Sequence, residues 1–280
     1  PRDYFNYIRL PEICKYFWTD GTQLSTHADP METASEMAKV LGEEEANVAE
    51  FLKGLQDKYE IISELFLENS LQDLSTWTSK KAMRGYLNIP NLGLFSTMHT
   101  YHARRFKHPK TVQLFDRYAT YNGSNPYQTP ATLSVIPNLE YNIGAFMPVG
   151  GMISITNSLC RLAKELGVEF RMNEKVEEIV TEGQRAVGIK TAKGMFAFDH
   201  IASNMDIRPS YKKLLPQIQS PKKLLNQERS SSGIIFYWGV NRKFDAVGVH
   251  NIFFSDHYQE EFKHIFEEKT LFDDPTIYLH

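Results

Sequence analysis

Cysteine is scarce. The 280 residues hold two, Cys14 and Cys160, far apart in sequence, so neither a disulfide framework nor a zinc site is expected and a reducing compartment is the default. None of the nine histidines has ligand spacing such as H-E-x-x-H, and no metal is expected. None of the 16 glycines forms the G-x-G-x-x-G turn that holds a dinucleotide pyrophosphate at a helix N-terminus. There is no surplus of positive charge either. The formal net charge is −3, which withholds the electrostatic footprint of a nucleic-acid partner. No apolar run is long enough to cross a bilayer and no signal peptide opens the chain, so the expected setting is cytoplasmic, at most lying on a membrane surface.

What remains is a globular composition, 42% hydrophobic and 23% charged, in a chain long enough for two domains. Tyr4–Leu10 and Ile13–Trp18 are aromatic and β-branched, and Asp20-Gly21 predicts a hairpin turn before Thr22–Thr26. Helical spacing follows over Met31–Leu41 and Ala46–Leu67, then an irregular segment from Leu71 broken by Gly85, Pro90 and Gly93. Basic residues gather at His102, Arg104, Arg105, Lys107, His108 and Lys110. They read as a solvated face, or more sharply as a contact with anionic lipid headgroups. Thr111–Ala131 predicts a helix that turns at Asn122–Pro126, with Tyr118, Tyr121 and Tyr127 around the turn; an apolar helical stretch follows at Leu133–Leu139. Gly233–Val240 is continuously apolar, the pattern of a strand covered on both faces, with Asn251–Phe254 as its expected neighbour and a helix over Tyr258–Phe266.

The stretch from Met147 to Pro216 is the most ordered. Pro148 and the pair Gly150-Gly151 lead into a helix striped by Met152, Ile155, Leu159, Leu162 and Leu166, closed at Gly167. Alternation at Val168, Phe170 and Met172 predicts a strand, and Val176–Val180, Ala186–Thr191 and Met195–Phe198 predict three more, joined by short Gly-containing turns. The ordered set is Pro-x-Gly-Gly, a helix, Gly-Val, Asn-x-x-Val-x-x-Ile, and a strand ending in Ser203-Asn204-Met205-Asp206. It resembles the carotenoid desaturases, phytoene desaturase-type flavoproteins of the wider amine-oxidase-like flavin fold. The string Ala-Thr-Tyr-x-Gly-Ser-x-Pro-Tyr over 119–127 is more similar to the γ-carotene and hydroxycarotenoid 3,4-desaturase branch than to the phytoene branch.

That resemblance implies an α/β chain: an α+β substrate domain at 1–146 and 207–280, and part of a Rossmann-like FAD-binding domain at 147–206. It implies FAD as cofactor, a carotenoid substrate and a membrane surface as partner. Lys175 and Val176 would pass the adenine, Gly150 and Gly151 would allow close approach, and Asn204 and Asp206 would near the flavin. Tyr118, Tyr121, Tyr127, Phe146, Phe236 and Trp238 are the candidates for an apolar substrate tunnel, each equally suited to plain core. Asp73 falls where some family members carry an acid for proton transfer. The Arg expected a turn later is Thr76, so a surface carboxylate competes with a catalytic one. The alternatives are a phytoene desaturase or isomerase of the same fold and a non-redox carotenoid- or lipid-binding module. The chain reads as an internal fragment, expected to be inactive by itself.

Overall fold

The computed structural model describes residues 4–66, 68–70, 72–88, 92–227, 229 and 232–280. Leu67, Leu71 and Pro90, named above, lie outside these residues. The described chain mixes helices with three small sheets, an α/β arrangement, and separates into two compact units, Pro1–Ile155 with Ser231–His280, and Thr156–Ser230.

The first unit is built on β2 (Glu12–Phe17). β3 (Gln23–His27) pairs with it antiparallel across the hairpin turn that Asp20-Gly21 predicts. On its other edge β2 takes β8 (Asn251–Phe253) in parallel, and β9 (Ile277–Leu279) closes the sheet against β8. Helix α1 (Pro30–Leu41) begins where Asp29 accepts from the Met31 amide and Pro30 presets the first turn. Its Ala34, Met37 and Leu41 are buried with Val48, Phe51, Leu52 and Leu55 of α2 (Glu45–Phe66), in one cluster with Tyr16 and Leu24 of the hairpin. Each large aliphatic side chain so buried is worth about 1.5–3 kcal/mol. Short helices α3 (Leu74–Thr78) and α4 (Lys80–Leu87) lead to α5 (Met98–Arg105) and α6 (Pro109–Asp116). Gln113 of α6 bridges two parts of the sheet, accepting from Trp18 Nε1 at 2.8 Å and donating to the Ser255 carbonyl at 2.8 Å.

Past α6 the helical pattern tightens and then widens. Arg117–Asn122 and Ala131–Val135 are 3-10 turns, and Leu139–Ile143 is a π-helical turn, in place of the single helix predicted at Leu133–Leu139. Pro137 lacks the N–H an uninterrupted α-helix would need there. The predicted strand at Tyr4–Leu10 shortens to β1 (Tyr7–Arg9), which pairs with β4 (Phe146–Pro148) as a separate ribbon.

Gly233–Val240 departs from expectation. Among the described residues 232–240 have no strand partner, and Ile234 to Trp238 are exposed throughout. Asn251–Phe253 adjoins β2 and β9 instead of this run. An apolar run states that its faces want cover, whereas strand structure also needs a neighbouring main chain with free groups, and β2 already has β3 and β8.

The second unit contains most of α7 (Ile153–Glu165) and an antiparallel meander of β5 (Val176–Glu182), β6 (Arg185–Thr191) and β7 (Gly194–Ala197), within two residues of the predicted spans. α8 (Ile207–Pro209), a π turn at Ser210–Leu214 and α9 (Lys222–Leu225) follow. Val168–Met172 forms no strand among the described residues, and Leu159 and Leu166 of the predicted helix stripe are exposed. The helix forms as its spacing dictates. Its apolar face lacks cover among the described residues, for the same reason as 232–240.

Candidate functional site

The densest polar chemistry lies inside the first unit, where α6 runs into the 3-10 turn. That junction places Asp116, Arg117, Tyr118 and Tyr121 on successive faces. The π turn brings Glu140 and Tyr141, and β2 brings Tyr16. Arg117 is buried with its guanidinium 4.2 Å from the Tyr118 ring centre, between that ring and those of Tyr16 and Tyr121. Its Nη2 donates to Tyr16 Oη at 2.8 Å and pairs with Glu140 Oε2 at 3.4 Å. Tyr118 donates to the same Glu140 oxygen at 2.5 Å, and Tyr121 donates to the other. A carboxylate only 15% exposed is tolerated when its oxygens are matched in this way. Burial first, and the Glu140 charge after it, push the Tyr118 hydroxyl well above the usual tyrosine range, so it serves as a neutral donor.

One residue earlier, Asp116 is buried and accepts from two histidines, from His99 Nδ1 on Oδ2 and from His102 Nδ1 on Oδ1, each at 2.7 Å. The hydrogen bond it donates to Asp116 raises the His99 pKa above its ordinary 6.5, against the opposing effect of burial. The His99 ring lies 4.6 Å from that of Tyr127, which meets Phe262 edge-on. His102 is fully buried among Phe51, Tyr101 and Phe115, and its Nε2 finds no hydrogen-bond partner among the described residues. The sequence reading put His102 in a solvated basic face; the structure corrects this, because Asp116 and the surrounding rings enclose it.

Of the six tunnel candidates, the structure brings Tyr118 and Tyr121 together, stacked at 5.5 Å, with Tyr127 in the same unit against His99. Phe146 sits half-exposed on β4, edge-on to Tyr7 at 5.4 Å. Phe236 and Trp238 face each other at 6.3 Å on the exposed run 232–240. An open groove of about 510 Å³ on the first unit is lined by Arg9, Pro11, Glu32, Tyr141 and Asn142 among others, and by none of the six.

The cofactor candidates are divided between the units. Gly150 and Gly151, in the first, have φ of 86° and 81°, a region strained for other residues, and make the turn before α7. A Cβ built on Gly151 would meet nothing, so the turn requires glycine for its backbone angles and not for space. In the second unit Lys175 is exposed just before β5, and Val176 is its first residue. β5 is an edge strand, so alternate main-chain groups point away from β6; Gln217 Nε2 takes the Ile179 carbonyl at 2.8 Å. An adenine edge requires one donor and one acceptor, the two kinds of group that the main chain of such an edge strand carries. Asn204 is exposed, and Asp206 caps α8 by accepting from the Arg208 amide at 3.0 Å. Asp73 is exposed at the N-terminus of α3 and makes no side-chain cap.

Sequence reasoning named the tyrosines but missed Arg117, Glu140, Asp116 and His99. The signal was present in Leu114-Phe115-Asp116-Arg117-Tyr118, where two charged residues sit inside an apolar helical run and must find partners.

Residues 6–253 match the family described as flavin containing amine oxidoreductase. Over 276 residues, 99% of this chain and 56% of the relative, the sequence is 43% identical to a 1-hydroxycarotenoid 3,4-desaturase of Flavobacterium sp. (strain P99-3). It is 39% identical over 179 residues to a 4,4'-diapolycopene oxygenase of Methylomonas sp, covering 63% of this chain and 36% of that one. It is 30% identical over 281 residues to a 4,4'-diaponeurosporene oxygenase of Staphylococcus aureus (strain USA300), again 99% and 56%. The chain thus spans about half the length of the first and third of these relatives. With the match running through both units, the chain belongs to the flavin-containing amine oxidoreductase family.

Proposed function

We propose that the full-length protein is an FAD-dependent carotenoid desaturase that introduces a carbon–carbon double bond, at the 3,4 position of γ-carotene or of a hydroxylated carotenoid. The observation that carries this reading is the 43% identity to a 3,4-desaturase, sustained over 99% of the chain. FAD, when bound, supplies the hydride acceptor, and an external oxidant must restore it after each turnover. The chain's part is to bind, orient and keep water away. The Val176 end of β5 and the turn at Gly150-Gly151 are the proposed cofactor contacts, together with Lys175, Asn204 and Asp206. Tyr118, Tyr121, Tyr127, Phe146, Phe236 and Trp238 are the proposed apolar lining, suited to a substrate that offers no charge to hold. Saturation of Glu140 by Arg117 and two hydroxyls keeps that carboxylate from drawing water toward the tyrosines. Asp73 is the proposed proton acceptor. Among the described residues no helix is long and apolar enough to cross a membrane, and a peripheral position on the bilayer suits a carotenoid user.

The test is full-length protein with FAD and an electron acceptor, supplied separately with γ-carotene, a 1-hydroxycarotenoid and phytoene. A red-shifted absorption with loss of two hydrogens by mass spectrometry is expected for the first two, and Asp73→Asn lowers the rate. No product from any of the three overturns the proposal, and turnover of phytoene alone moves the assignment to phytoene desaturation. A second reading, oxygenation, is favoured by the names of two relatives; a product that gains oxygen would establish it.

A further inference from the structure

The network around Glu140 comes to the surface at a tyrosine. Tyr16, Arg117 and Tyr118 are buried, whereas Tyr121 is 55% exposed. Tyr121 follows Tyr118 by one turn of the 3-10 segment, where side chains three apart eclipse each other. The two rings therefore stack, and the second of them is the one that meets solvent.

Counting protons decides what Tyr121 can do there. A tyrosine hydroxyl has one proton to give and lone pairs with which to accept. Tyr118 and Tyr121 have each given theirs to Glu140, one to each oxygen. Arg117 donates to Tyr16 Oη and to Glu140, and its burial puts its N–H groups out of a ligand's reach. Tyr121 Oη thus meets a ligand as an acceptor. Turning its proton outward would give up a charge-assisted bond and leave Glu140 a donor short. Holding that proton on a carboxylate also strengthens the phenol oxygen as an acceptor, because hydrogen bonds in a chain polarise one another.

The surroundings narrow the ligand further. The charges of Arg117 and Glu140 cancel, so the network does not favour a cation over a neutral donor. Leu139 and Ile143, on the same π turn as Glu140, are exposed. A single acceptor on an otherwise apolar surface suits an apolar molecule that has one O–H. A carbonyl sets lone pair against lone pair, and a hydrocarbon end has nothing to donate.

We propose that Tyr121 is the residue that reads an alcohol on the substrate, its Oη accepting the O–H of a hydroxylated polyene. This rests on the desaturase reading and chooses between the two substrates that reading leaves open. The probes are a 1-hydroxycarotenoid and its methyl ether, which keeps the carbon skeleton and the oxygen but loses the donor. Full-length protein with FAD and an electron acceptor is given each in detergent. Wild type is expected to favour the alcohol by about tenfold in kcat/KM, the worth of one matched hydrogen bond. Tyr121→Phe should bring that ratio close to one, whatever it does to the two rates separately. Tyr118→Phe removes a hydroxyl from the same network at a closed position and should leave the ratio as in wild type. The proposal is overturned if wild type treats alcohol and ether alike, if Y121F keeps the preference, or if Y118F loses it equally. The comparison of the two probes on wild type decides the matter even if Y121F fails to fold. Binding of the same pair, followed by quenching of protein fluorescence without turnover, separates this proposal from the reading beneath it. A tenfold preference in binding with no product from any carotenoid sinks the desaturase reading and leaves the alcohol contact standing. Turnover without preference does the reverse.

Discussion

Strand β2, Glu-Ile-Cys-Lys-Tyr-Phe, and the run Gly-Ile-Ile-Phe-Tyr-Trp-Gly-Val at 233–240 have opposite fates. The less apolar of the two is the buried centre of a sheet, while the more apolar has no ladder and is exposed among the described residues. What separates them is neighbours. β2 has a hairpin partner five residues away and a face covered by α1 and α2, whereas 232–240 has neither. Hydrophobicity sets the demand for cover, and topology decides whether it is met within the described residues.

Substitutions can break this contrast, starting where burial is deepest. Arg117→Leu strips the mostly covered Glu140 of its cation, and a loss of about 3 kcal/mol in chemical denaturation is expected. The double variant R117L/E140L should recover a large part of it, and a double variant as damaged as the single one would refute the assignment of that cost to the stranded carboxylate. Leu52→Ala, at a fully buried position on α2, should cost about 3 kcal/mol. Next in size is a pH effect at His99, which faces Asp116 and the Tyr127 ring, with His102 on the other carboxylate oxygen. Because its folded pKa is raised, the stabilisation is complete below about 6.5 and is lost as pH rises through the folded value. Melting temperature should therefore fall over that window, and His99→Gln should flatten the dependence. The smallest change is expected at Trp238→Ser on the exposed run, within about 0.5 kcal/mol for this chain. A loss of 2 kcal/mol or more, on the order of a core truncation, would mean that 232–240 is packed in solution and would erase the contrast.

Local signals were the legible ones. Asp20-Gly21 located the hairpin, Asp29-Pro30 the start of α1, and period-two alternation the meander β5–β7. The ordered motifs between Met147 and Asp206 pointed to the same flavoprotein family that residues 6–253 match. Non-local structure was not legible. Pairing of β2 with β8 joins residues more than 230 positions apart, and no short-range pattern encodes it. His102 was misplaced because it was grouped with its basic neighbours in sequence. Met98 and His102, four apart and both fully buried, show that helix geometry was the better guide. The Arg117–Glu140 pairing was hidden because its members sit on a 3-10 and a π turn, where the 3.6-residue rule no longer says which side chains meet.

The parallel partnership of β2 and β8 also sets an order of events at the ribosome. Residues 156–230 must be made before Asn251–Phe253 emerges, so the nascent hairpin waits with one side of β2 bare. An uncovered strand is an invitation to wrong partners. Slow elongation through the middle of the message would lengthen that wait, and the yield of folded protein should be set there as much as by the stability of the finished molecule.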